Sequence, residues 1–148
     1  MNYGEAPVVV DSIFIPDCEL VFVLYMPVRL AGQSHITIPK HLAGYAPLVE
    51  AAIRHEGWRG DGQYVYLTVK RLWVEPGCMG GRPGWHTDGF GTDDVNYIWS
   101  DADPTEFCIQ PFTLTADHDV SMREMAEQAR PENIKTYQRH YVANAPRR

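Results

Sequence analysis

Cysteine is scarce in this 148-residue chain, and the three present, Cys18, Cys78 and Cys108, lie far apart. With no C-x-x-C pair, a zinc knuckle and a thioredoxin-type redox motif are both excluded. The wide spacing predicts reduced, mostly buried thiols. Long apolar runs are also missing, so no segment has the length of a membrane span. The first residues, MNYGEAPVVVDSIF, lack a basic stretch followed by an apolar one, so no secretory signal is expected and a cytoplasmic location is. Basic runs are absent too. Thirteen Lys and Arg stand against nineteen Asp and Glu, for a net charge of −6. A generic nucleic-acid binder needs a basic surface to displace counterions, which argues against that class. Only the C-terminal segment is locally basic (Lys135, Arg139, His140, Arg147, Arg148), enough for a local anion contact. No serine sits in G-x-S-x-G, and GGRPG lacks the Lys-Ser/Thr of a phosphate loop, which sets aside serine hydrolases and NTPases.

What remains is an ordinary globular composition, 45% hydrophobic and 22% charged, in a chain of single-domain length. Internal repeats and low-complexity segments are not found. The first third reads as short strands at Pro7–Val10, Glu19–Met26 and His35–Ile38, punctuated by Pro16, Pro27 and Pro39. Residues 47–56 predict a helix, with Pro47 at its first position and Gly57 just past its end. His55 in its last turn reads as a partner for the helix dipole. The clearest strand is Gln63–Val74. Val65, Leu67 and Val69 alternate there with Tyr64, Tyr66, Thr68 and Lys70, and a phase slip at Lys70-Arg71 suggests a bulge. A glycine-rich loop follows at 76–84. Further strands are expected at Val95–Trp99, Glu106–Leu114 and 136–143. A second helix is expected at Met122–Ala129, with Ser121 and Glu124 as a capping box and Met122, Met125, Ala126 and Ala129 buried. Many short strands with two helices predict a mostly β fold, a sandwich or jelly roll with helices outside.

The chemistry concentrates in RPGWHTDGFGTDDVNYIW, residues 82–99. On an extended chain, residues i and i+2 share a side, so His86 and Asp88 would point into one space. An imidazole nitrogen and a carboxylate oxygen are two-thirds of the facial triad, two His and one carboxylate, that leaves positions open on Fe(II). Chance alone supplies roughly 0.4 His-x-Asp pairs at this composition, so the setting must carry the weight. The pair follows a long strand and a glycine-rich loop, and later histidines are available. The competing reading is a turn.

In that setting the stretch resembles the Fe(II)- and 2-oxoglutarate-dependent dioxygenases, whose double-stranded β-helix carries His-x-Asp, a distal His and then an Arg. The order LWVEPG, WHTDGF, NYIWSDADPTEF fits that core over roughly residues 63–148. Residues 1–62 would then supply flanking strands and a helix within the same domain. The resemblance implies iron held by His86, Asp88 and His140, and 2-oxoglutarate held through its far carboxylate by Arg147 or Arg148. His118, before the second helix and between Asp117 and Asp119, competes for the distal role but reads as a surface turn. Two departures stand out: the family continues past the arginine with another strand, where this chain ends at Arg148, and its His-to-Arg distance is slightly longer.

Trp85, Phe90 and Tyr97 are the candidate substrate-contacting rings, together with Trp73 and Trp99, for which core packing is favoured. Asp88, Asp93, Asp94, Asp101 and Asp103 could offer oxygen ligands to Ca²⁺ or Mg²⁺, but they lack EF-hand spacing and read as turn formers. Lys70 and Arg71 could meet an anion or line a solvated strand edge. Three functions are therefore carried forward: an Fe(II)/2-oxoglutarate oxygenase acting on a small molecule or polymer, a non-catalytic jelly-roll binding or assembly protein, and a cupin-type metal enzyme working without 2-oxoglutarate.

Overall fold

A computed structural model describes residues 3–16, 19–57, 62–78, 80–88, 92 and 94–144. The chain forms two compact units, one from residues 1–12 with 83–148, the other from residues 13–82. The strand expected at 63–74 therefore belongs to a different unit from the His-x-Asp segment. Among the described residues, seven short strands form three small antiparallel sheets with two α-helices, and no sheet closes into a barrel. The architecture is mixed rather than mostly β.

In the 13–82 unit, β2 (Val21–Arg29) pairs with β3 (Val65–Arg71). Strand β2 runs through Pro27, which lies opposite Tyr66. A two-stranded sheet leaves one side of β2 unpaired, and there a missing N–H costs nothing. The phase slip lies in β2, not at Lys70-Arg71: Val23 pairs with Val69 and Met26 with Leu67, so two residues face one. Within that bulge Tyr25 adopts φ 51°, and its N–H donates to Thr68 Oγ1 at 3.1 Å. The segment expected as a strand at His35–Ile38 is irregular, because its backbone makes one ladder-like bond, Thr37 N–H to Val28 O at 2.8 Å. A 3-10 turn (Lys40–Tyr45) leads into α1 (Ala46–Glu56), which has Pro47 in its first turn and Gly57 as its C-cap, as expected. The buried apolar side chains of this unit include Val28, Leu42, Val49, Leu67 and Val69.

The other unit contains β1 (Val8–Asp11), β4 (Asn96–Ile98), β5 (Glu106–Cys108), α2 (His118–Gln128), β6 (Ile134–Thr136) and β7 (Tyr141–Asn144). Strand β7 is central in the order β1-β7-β4, with Val8 opposite Ala143 and Tyr97 also opposite Ala143. Tyr141, Val142 and Ala143 are all buried, so this strand is covered on both faces. Tyr97 packs its ring on Tyr141 at 5.4 Å, and burial pushes the Tyr141 phenol above its ordinary range. The N-terminal lead-in lies close to the 110–112 segment. A Cβ at Gly4 would overlap the Gln110 carbonyl oxygen and the Phe112 ring.

The strand expected at 106–114 stops at Cys108 because its later backbone bonds to helix side chains instead. Gln128 accepts from Thr113 N–H at 3.0 Å and donates to Thr113 O at 2.8 Å, reproducing a strand partner with one amide. Glu124 accepts from both Thr115 N–H and Thr115 Oγ1 at 2.6 Å, and these bonds hold its carboxyl below the usual range. Helix α2 begins a turn earlier than expected. Its cap is Asp117, which accepts from Val120 N–H at 2.9 Å, while Ser121 is buried inside the helix and donates to His118 O. Of the expected buried face, Met125 is buried and Ala126 exposed. The single strand expected at 136–143 is two, β6 and β7, separated by a turn in which Arg139 has φ 60°.

A candidate metal-binding pair at His86 and Asp88

Residues 83–88 form an irregular segment that bends at Gly84 and ends in a turn at Asp88, not the strand end that was expected. Gly84 has φ +84°, a backbone state L side chains rarely adopt, and a Cβ there would touch the Met122 methyl at 3.5 Å. Thr87 Oγ1 lies 3.9 Å from Met125 Sδ. The segment is therefore laid along the methionine side of α2, which half-buries Trp85, His86 and Thr87. Sequence reasoning gave α2 no part in positioning this pair. The signal it could have used is the Met122/Met125 spacing, which marks a sulfur-lined helix face able to take an irregular chain.

His86 Nδ1 lies 2.9 Å from the Gly84 carbonyl oxygen. A carbonyl can only accept, so Nδ1 carries the proton and Nε2 of the neutral ring carries the lone pair. That nitrogen is 3.6 Å from Asp88 Oδ1. An imidazole nitrogen and a carboxylate oxygen, both able to donate a lone pair to a cation, thus lie near each other. The pair is accessible, since the His86 side chain is 24% and the Asp88 side chain 48% exposed. Two ligands about 2.1 Å from one metal ion stand about 3.0 Å apart at a right angle and about 3.4 Å apart at a tetrahedral angle. The donors therefore fit neighbouring positions on a divalent ion after a small closure.

His140 immediately precedes β7. It makes the same internal bond as His86, Nδ1 to the Gln138 carbonyl at 3.0 Å, which likewise leaves Nε2 as the lone-pair nitrogen. His118 is the exposed first residue of α2, one turn before Met122. Among the described residues, no three His, Cys, Asp or Glu side chains are grouped to hold a metal ion. His86 and Asp88 are brought together; neither His140 nor His118 is grouped with them.

The other candidates separate by what their side chains touch. Trp85 is half-buried beside His86, whereas the Tyr97 ring lies against Tyr141 in the sheet. Phe90, Asp93, Arg147, Arg148 and Cys18 fall outside the described residues. Asp94 bonds Thr92 Oγ1 at 2.9 Å, and Asp101 accepts from Ala102 N–H at 2.8 Å. Asp103 has φ 44°. These are turn geometries, in line with the turn reading of the acidic run. Cys108 is buried as expected, but Cys78 is exposed. Trp73, expected in the core, is 88% exposed. No described helix is long and apolar enough to cross a membrane. No family model, no curated protein and no solved structure matches this chain.

Proposed function

We propose that the chain is an Fe(II)- and 2-oxoglutarate-dependent oxygenase that hydroxylates an organic substrate, with His86 and Asp88 as two of the three protein ligands to iron. The observation that carries this reading is the lone-pair face of His86 set toward the Asp88 carboxylate, with the opposite ring nitrogen fixed by a backbone carbonyl. A metal-ligating histidine is oriented in just this way, through a hydrogen bond from its other nitrogen. His140 supplies the third donor in this reading, and its ring is tied to a carbonyl in the same manner. It would have to close on the pair, so metal affinity is expected to be weak until 2-oxoglutarate is present. Arg147 or Arg148 would hold the far carboxylate of 2-oxoglutarate by a forked pair of hydrogen bonds. The β1-β7-β4 sheet would be one wall of a double-stranded β-helix. When bound, iron would supply O₂ activation coupled to the oxidative decarboxylation of 2-oxoglutarate to succinate and CO₂. The chain's own part is to orient two donors and leave the remaining positions open.

The lack of a three-donor group among the described residues favours a second reading, a binding or assembly protein without catalysis. Anaerobic Fe(II) titration with 2-oxoglutarate separates the two. Oxygenase chemistry predicts a weak visible charge-transfer band, then slow succinate release in air that requires Fe(II). His86→Ala should abolish both, whereas replacing the correct arginine with alanine should raise the 2-oxoglutarate requirement and leave iron bound. Fe(II) binding with no succinate would point to a cupin-type enzyme. No metal binding at all would leave the binding protein standing.

A further inference from the structure

Strands β2 and β3 expose an apolar surface of unusual size. Leu20, Phe22, Leu24, Tyr25, Tyr64 and Tyr66 lie in these strands or directly before them, each is between 46% and 74% exposed, and alternation with the buried Leu67 and Val69 puts Phe22 and Tyr66 on the outward side. Tyr64 and Tyr66 stack at 5.8 Å with their planes 15° apart. Taking about 200 Å² for each large side chain, the exposed parts come to about 700 Å². The largest apolar patch on a typical monomer is about 300–600 Å², and each side of a standard interface buries about 800 Å². The patch matches one side of an interface. Its composition matches as well, since aromatic side chains dominate and Lys70 is the one charged residue on this side of the two strands.

Backbone geometry adds an independent observation. Tyr25 is 74% exposed and sits in the left-handed region at φ 51°, in a bulge where glycine would be unstrained. A strained position carrying an exposed aromatic ring is a mark of a binding surface. A two-stranded sheet is also marginal by itself and gains from a third layer.

We propose that the outward face of the β2–β3 sheet packs against the same face of a second copy of this chain, forming a two-fold dimer. An axis lying in the interface and crossing the strands near Thr68 makes the face self-complementary. It turns Lys70, opposite Phe22 at one end, toward the Tyr64–Tyr66 stack of the partner at the other, and it keeps the two lysines apart. Single-stranded nucleic acid would also stack on such rings, but one lysine is too little charge to track a phosphate backbone.

Sedimentation velocity on the full chain tests this. The expected particle is twice 16.8 kDa and dissociates on dilution. Phe22→Glu and Tyr66→Glu should each weaken association at least about 30-fold and leave far-UV circular dichroism unchanged, because both positions are exposed in the single chain. A monomer at every concentration, or a dimer indifferent to both substitutions, overturns the proposal. Should the variants fail to fold, hydroxyl-radical labelling of the wild-type chain decides. Labelling of Tyr25 and Tyr66 must fall as concentration rises through dimer formation, and a flat profile overturns it. A monomer that binds labelled oligothymidylate through Tyr66 would give the face to nucleic acid instead.

Discussion

Replacing Gln110 should loosen the junction between β5, α2 and β6. Its Nε2 donates to Gln128 O at 2.7 Å, and its Oε1 accepts from Arg130 N–H at 3.1 Å and Asn133 Nδ2 at 3.0 Å. One amide orientation satisfies all three bonds, because the acceptor end meets these two donors and a weak third, the Cys108 thiol at 3.5 Å, while the donor end meets a carbonyl. At about 0.5–1.5 kcal/mol net per bond, the three contribute about 3 kcal/mol. Gln110 is only half-buried and water can replace part of this, so Gln110→Ala is expected to cost about 2 kcal/mol. For a chain of this size that lowers the melting temperature by about 4–8 °C. Gln110→Glu is the sharper probe. Its carboxylate keeps both acceptor bonds but sets an oxygen against the Gln128 carbonyl, so near neutral pH it should destabilise as well. The Arg130 amide should remain protected from hydrogen exchange in the Glu variant and lose protection in the Ala variant. Thermal unfolding with exchange measured at Arg130 checks both halves. Melting temperatures unchanged in both variants, or an Arg130 amide equally protected in both, would refute the reasoning.

Other consequences are more local. Asp117→Ala should cost about 1 kcal/mol, since it removes the α2 cap, while Ser121→Ala should stay within about 0.5 kcal/mol because that hydroxyl only bonds back to His118 O; chemical denaturation ranks the two. Glu124 has its carboxyl pKa lowered by its bonds to Thr115, so its contribution is present above the ordinary glutamate value and is lost as pH falls through the folded value. The melting difference between wild type and Glu124→Gln should therefore shrink from about pH 5 downward. Tyr25→Gly relieves a left-handed residue, and at concentrations where the chain is monomeric it should change stability by no more than about 1 kcal/mol. A larger loss would mean that Tyr25 is held by contacts within its own unit.

Local signals in the sequence correspond to the elements they specify. Pro47 and Gly57 bracket α1, and the alternation from Tyr64 to Lys70 gives β3 with Leu67 and Val69 inward. Signals that depend on competition were not. Ser121 and Glu124 have the spacing of a capping box, but Asp117 lies one turn earlier and offers a stronger acceptor, and Glu124 is drawn to Thr115 instead. Residues 109–114 have a strand-like composition, yet Gln128 takes up the backbone groups of Thr113. Side chains arriving from a helix are invisible to a count of alternating residues. The doublet at 24–25 was hidden for a related reason. An apolar run gives no phase, so only its partner strand shows where the extra residue sits.

The same division explains why the sequence shows the nearness of His86 and Asp88 and not what surrounds them. Two residues apart in the chain, His86 and Asp88 need no distant part of it to meet, and they stand 3.6 Å apart even though the segment is not a strand. A third donor is a matter of topology. His140 lies beyond α2 and three strands, so its place is set by every turn between. The tautomer was equally out of reach, because it is fixed by the carbonyl of Gly84, a backbone atom with no letter in the sequence. That carbonyl leaves Nε2, 3.6 Å from Asp88 Oδ1, as the imidazole nitrogen able to join that carboxylate in holding a metal ion.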